Sequence, residues 1–101
     1  MINTVFIENF KPGKEIYGFY ICKSKQIRKT RNGDLYLNIR LFDKSGEIIG
    51  KIWNDIQHFN SKFNIGDPVA VKGLIEEYNT RIEIIIYQIN FASIDIYKKY
   101  G

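Results

Sequence analysis

Leu35, Leu37, Ile39 and Leu41 alternate with Tyr36, Asn38, Arg40 and Phe42. This period-2 pattern, with one apolar face and one mixed polar face, predicts a strand from Leu35 to Phe42. Asp43-Lys44-Ser45-Gly46 follows as a tight hairpin loop, its glycine suited to a left-handed position. The strand after it, Glu47 to Trp53, then pairs antiparallel with the one before. Its Ile48, Gly50 and Ile52 turn to the core, while Ile49, Lys51 and Trp53 turn away. Upstream, Lys11-Pro12-Gly13-Lys14 reads as a turn. The aromatic and β-branched run from Glu15 to about Lys25 reads as the first strand. Gly18 within it predicts a bulge or sharp bend. The basic stretch from Lys23 to Arg31 reads as a loop that closes on the turn Asn32-Gly33-Asp34.

Past Trp53 the period changes. Ile56, Phe59 and Phe63 recur three to four residues apart, so a short helix, capped by Asn54 or Asp55, can plug the bottom of a barrel. Gly66-Asp67 ends that interval, and Pro68 opens a strand at a place where its missing N–H does no harm. Val69, Val71, Gly73 and Ile75 alternate through this fourth strand. Tyr78-Asn79-Thr80-Arg81 is a short hairpin turn, and Ile82 to Ile89 is the fifth strand. The tail after Ile89 has no clear period and reads as a linker or as a terminal segment packed on the barrel. The order of three strands, a helix and two strands predicts an all-β fold. It is that of a five-stranded OB-fold Greek-key barrel with one short helix between strands 3 and 4. Residues 1–90 form this domain and 91–101 the tail.

At 101 residues the chain has room for one core and not for two. Its 45% hydrophobic and 26% charged residues are those of a folded globular domain rather than a disordered one. The aromatic share of 15% exceeds what a small barrel buries and predicts exposed stacking surface. A net charge of +4 leans modestly towards a polyanionic partner. Cys22 is the single cysteine, which fits a reducing cytoplasm rather than a disulfide-stapled scaffold. Met1 to Phe6 lacks a basic segment followed by a long apolar run, so neither a signal peptide nor a membrane span is expected.

The stretch Ile21-Cys22-Lys23-Ser24-Lys25-Gln26-Ile27-Arg28-Lys29-Thr30-Arg31-Asn32-Gly33 resembles the N-terminal OB domain of the YhaM-type 3′→5′ exoribonucleases. Tyr36 to Ile48, Lys51-Ile52-Trp53-Asn54 and Gly66 to Gly73 extend the resemblance to about Phe6–Ile89. The last two of these segments are common to nucleic-acid OB folds of the tRNA-anticodon type. What the resemblance implies is engagement of RNA or single-stranded DNA, with an HD phosphohydrolase domain following the barrel in the full-length protein. Ile85 and Tyr87 depart from it, standing outward where polar or basic residues are expected. The HD domain lies outside this sequence, so no nuclease activity carries over to it.

Two constellations are expected to bind a single strand. Lys23, Lys25, Arg28, Lys29 and Arg31, with no acidic residue among them, overhang the OB cleft and track the phosphate backbone. Tyr36, Asn38, Arg40, Lys51 and Trp53 line the outer face of strands two and three, where rings stack on bases and cations meet phosphates. The bland alternative for Trp53 is packing beneath the helix. Phe19 is a further candidate for the platform. Tyr78 and Arg81 form a secondary rim, weakened by the nearby Glu76, Glu77 and Glu83.

No catalytic residue, metal ligand or cofactor is assigned. His58 is the lone histidine, and with Cys22 the only thiol nothing has zinc spacing. Asp34, Asp43 and Glu47, with Arg40 or Arg81, are the candidates for metal-dependent cleavage, but turn chemistry already accounts for all three acids. The expectation is a binding module and not an enzyme, with single-stranded RNA or DNA as its partner. The alternative is a protein–protein interaction or oligomerisation module built on outward Ile49, Ile85 and Tyr87.

Overall fold

The computed structural model describes residues 5–100. Five strands, β1 (Glu15–Lys29), β2 (Leu35–Asp43), β3 (Gly46–Ile52), β4 (Pro68–Tyr78) and β5 (Arg81–Phe91), close into a barrel in the order β1-β2-β3-β5-β4. The β3–β5 contact is parallel and every other pairing antiparallel. Helix α1 (Ile56–Asn60) lies between β3 and β4, as the change of period predicts. Helix α2 (Ile94–Tyr100) follows β5 and packs against β1 and β4.

The inward set follows the alternation of the sequence. Leu37, Ile39 and Leu41 of β2 meet Ile48 and Ile52 of β3, Val69, Val71 and Ile75 of β4, and Ile84, Ile86 and Ile89 of β5. Gly50 belongs to this layer because a Cβ there would stand 2.6 Å from the Ile86 side chain. Phe63, from the turn beyond α1, is buried and closes the bottom of the barrel, while Ile56 and Phe59 are only partly buried. The helix is therefore a lid whose plug comes after its last residue. Its first residue follows Asp55, which adopts φ 53 and makes no side-chain cap bond, contrary to the capping role expected of Asn54 or Asp55.

β1 is longer than the sequence pattern suggests. Its first part pairs with β4, from Glu15 to Ile21, and its second with β2, from Ile21 to Lys29. The bulge that permits this change of partner lies between Cys22 and Ser24, not at Gly18. Gly18 has another reason to be glycine: a Cβ there would collide with the phenol of Tyr20. That phenol donates to the Val5 carbonyl at 2.7 Å, and Asp43 accepts the Ile7 N–H at 2.9 Å, so the first described segment is strapped to the barrel.

Candidate nucleic-acid interface

The register lines up outward side chains in rows across the strands. One row runs Gln26, Asn38, Lys51, Ile85 and Leu74, and its neighbour Ser24, Arg40, Ile49, Glu83 and Glu76. Arg28 lies beside Tyr36. Trp53 leans over Tyr36 with ring centroids 4.7 Å apart and planes 31° from parallel, and it remains 40% exposed. It packs beside the strands as a surface ring and not beneath the helix. The exposed ring of Trp53, backed by Tyr36, offers a π-face to an unstacked base.

Lys51 sits at the centre of this face. Its ammonium donates to Glu83 at 2.9 Å and stands 5.6 Å from the Tyr36 centroid and 5.1 Å from that of Tyr78. Both rings lie within cation–π range, so three partners hold one cation. Glu83, only 5% exposed, is neutralised by that contact rather than left to repel a phosphate. A cleft of about 360 Å³ opens among Tyr36, Lys51, Trp53, Glu76, Tyr78 and Glu83. Trp53 also walls a second cleft of about 400 Å³ with Phe59, Ile85 and Tyr87.

The cations upstream of the Asn32-Gly33 turn are placed differently from the expected loop. Residues 23–29 are strand, and only Arg31 of the five lies in the turn, which is closed by Thr30 N–H to Asp34 O and Gly33 N–H to Thr30 O. Lys25 points to the underside of the barrel. Its Nζ donates to the carbonyls of Asn60 and Phe63 and lies 4.7 Å from the Phe63 ring centroid, so it anchors the end of the α1 segment. Lys23 pairs with Glu47 at 3.1 Å beside the β2–β3 hairpin, and Arg40 approaches the same carboxylate at 3.9 Å. Lys29 lies opposite Leu35, on the other side of β1 from Arg28. The strand persists through this polar stretch because β2 supplies a continuous partner, and pairing outweighs intrinsic preference.

Of the twelve residues selected from the sequence, Arg28, Tyr36, Asn38, Arg40, Lys51, Trp53 and Tyr78 share one continuous outer face. Arg81 stands opposite Tyr78 at its rim. Lys23 and Lys25 are engaged elsewhere. Phe19 does not join the platform: it lies opposite Ala70 of β4, buried against Tyr17. Glu76, expected only to weaken the rim, and Ile85, expected only as outward apolar surface, also line the cleft. Their signal was the outward alternation with Ile75 and Ile84.

The acidic candidates for cleavage do not converge. Asp43 and Glu47 share one depression at the β2–β3 hairpin, but Asp34 precedes β2 at its far end. Asp43 is saturated by the N–H groups of Ile7, Ser45 and Gly46 and the Ser45 hydroxyl. Among the described residues no cluster of three or more His, Cys, Asp or Glu is placed to hold a metal ion. No helix among them is long and apolar enough to cross a membrane.

Residues 23–92 match the tRNA anticodon-type OB-fold nucleic acid binding domain. The chain belongs to that family. It is 29% identical over 85 residues to the 3′-5′ exoribonuclease YhaM of Listeria monocytogenes serotype 4b, covering 84% of this chain and 27% of that protein. The YhaM of Listeria innocua serovar 6a matches at the same identity and coverage. The chain thus spans about a quarter of the length of these relatives. Among solved structures, a domain of replication protein A from Methanococcus maripaludis superposes with a TM-score of 0.74 at 19% identity, covering 89% of this chain and 96% of that one. Asparaginyl-tRNA synthetase from Pyrococcus horikoshii gives 0.73 at 15% identity, over 92% of this chain and 23% of that one. Likenesses at such identities are of fold.

Proposed function

We propose that this chain binds single-stranded nucleic acid across the outer face of β1, β2 and β3, as the substrate-binding domain of a 3′-5′ exoribonuclease. The observation that carries the reading is the Trp53–Tyr36 ring pair, exposed beside Lys51, Arg40 and Arg28. Rings for bases next to cations for phosphates are what an unpaired strand requires. The exoribonuclease role is supported by the two YhaM relatives, whose matched segment is a quarter of their length. On this reading catalysis belongs to another part of the full-length protein, such as an HD domain, and the present domain works in the reducing cytoplasm.

The test is fluorescence anisotropy with labelled single-stranded RNA and DNA at low and moderate salt. Binding at micromolar affinity or tighter is expected. Trp53→Ala should weaken it roughly tenfold, within the 1–3 kcal/mol typical of one base–aromatic stack. Arg40→Ala should weaken it less and flatten the salt dependence. Unchanged affinity in both variants would place the strand on a different face.

Absence of binding at low salt would favour the second reading, an interaction module. Of its expected outward apolar set, Ile49 and Ile85 are half-buried and Tyr87 is exposed. Tyr87 and Phe91, 50% and 56% exposed, are the observation in its favour. Light scattering at increasing concentration reports any self-association.

A further inference from the structure

The cleft between Trp53 and Tyr78 has aromatic walls but an acidic side, an arrangement unsuited to a phosphate. Glu76 lies directly across the β4–β5 ladder from Glu83. Like charges in opposed positions of a sheet destabilise it, and Lys51 relieves only one of them. Its ammonium goes to Glu83, and the exposed carboxylates of Glu76 and Glu77, without an ion pair or hydrogen bond among the described residues, are left at the cleft, Glu76 being the one in register with Glu83.

We infer that this cleft receives an unpaired guanine, with Glu76 as the residue that selects it; the inference rests on the single-strand reading given above. The chemistry follows from the edges of the bases. A carboxylate only accepts, through two oxygens side by side. Guanine presents two neighbouring donors, N1–H and N2–H, that match those oxygens. Cytosine and adenine each present one amino donor next to an acceptor nitrogen. Uracil presents one N–H between two carbonyls, which face the carboxylate with lone pairs. The rings hold the base by stacking without regard to identity, so discrimination falls to the carboxylate edge. The volume of about 360 Å³ lies in the range of small-ligand pockets. The phosphates remain outside, towards Arg28 and Arg40 on the opposite side of the face.

Anisotropy titrations of the whole chain with uridine octamers distinguish the outcomes. An octamer with one central guanosine should bind about fivefold or more tighter than all-uridine, the low end of what a two-donor base contact discriminates. Inosine, lacking the N2 amine, should fall between them. Glu76→Gln should reduce the guanosine preference to less than about twofold while leaving all-uridine binding equal or stronger, because a repulsive charge is lost. Retained all-uridine binding also shows that the variant is folded. Equal binding of the octamers, or a preference that survives Glu76→Gln, overturns the inference and leaves single-strand binding intact. Failure of every octamer to bind overturns both.

Discussion

Replacing Lys51 with methionine removes the ammonium but keeps most of the stem, and leaves Glu83 in place. At 2.9 Å the pair's Coulomb attraction is about 6 kcal/mol for an effective dielectric of about 20. Much of that is offset by the cost of burying both charges. Removing one partner of a buried pair typically costs about 3–5 kcal/mol, because the other charge stays behind unpaired. The Lys51 side chain is 18% exposed and that of Glu83 6%, so some water reaches the vacated position and the low end, about 3 kcal/mol, is expected. For a domain of this size each kcal/mol moves the melting temperature by about 4–8 °C, so the loss should be about 12 °C or more. Urea unfolding followed by circular dichroism measures it directly. The double variant Lys51→Met, Glu83→Gln removes the stranded charge and should recover most of the loss. A single-variant cost below about 1 kcal/mol, in the range of an exposed pair, would refute the reasoning. So would a double variant as unstable as the single one, since the penalty is assigned to Glu83 and not to lost packing of Lys51.

The β4–β5 hairpin turns on Asn79 and Thr80 with φ 48 and 65, and a β-branched residue is poorly suited to the second. Thr80→Gly should therefore stabilise the fold by about 0.5–1 kcal/mol after allowance for the freer unfolded chain, and a lower thermal midpoint would contradict this. Burial pushes the Cys22 thiol from about 9 to about 11, with Lys25 opposing and Asp67 adding to the rise. A folded value above the unfolded one gives stability that is complete below pH 9 and lost as pH climbs through 11, at most about 2.7 kcal/mol. Urea midpoints should begin to fall near pH 9, and Cys22→Ala should remove the part below pH 10, where Tyr20, also raised by burial, does not yet contribute; an equally steep fall in the variant would count against it. Of the eight selected cations, Arg28, Lys29, Arg31 and Arg81 are tied to none of Glu83, Glu47 and the α1 carbonyls among the described residues, and Arg40 meets Glu47 only at 3.9 Å, which leaves five able to meet phosphates. The slope of log affinity against log salt should thus be no steeper than about −3.5, against about −5.6 if all eight met phosphates.

The barrel was legible because its core strands state their period plainly. β2 and β4 alternate, and the turns at Asn32-Gly33, Asp43 to Gly46 and Asn79-Thr80 fall where the chain reverses. The outer ring pair was legible for the same reason: once Leu37 and Ile52 are inward, Tyr36 and Trp53 must be outward. What could not be read was anything set by a partner far along the chain. Residues 23–29 look like a loop by composition and are strand because β2 lies beside them. Lys25 looks like a phosphate contact and is instead consumed by two carbonyls more than thirty residues away. Glu83 looks repulsive until Lys51 is found next to it.

These placements determine how the face works as a binding surface. The basic run suggested a uniformly cationic groove, yet the side chains divide it. Arg28 and Arg40 stand on the β1–β2 side, while Glu76 and Glu83 stand on the β4–β5 side, with Tyr36, Lys51 and Trp53 between them. A single strand carries its charge on one edge and its bases on the other. On the proposed reading, such a face accepts the strand in one orientation across its width, phosphates towards β1–β2 and base edges towards β4–β5. Reversing the strand would set phosphates against Glu76. The acidic residues that weaken the case for a polyanion partner when counted along the sequence thus supply, once placed, the asymmetry that orients it.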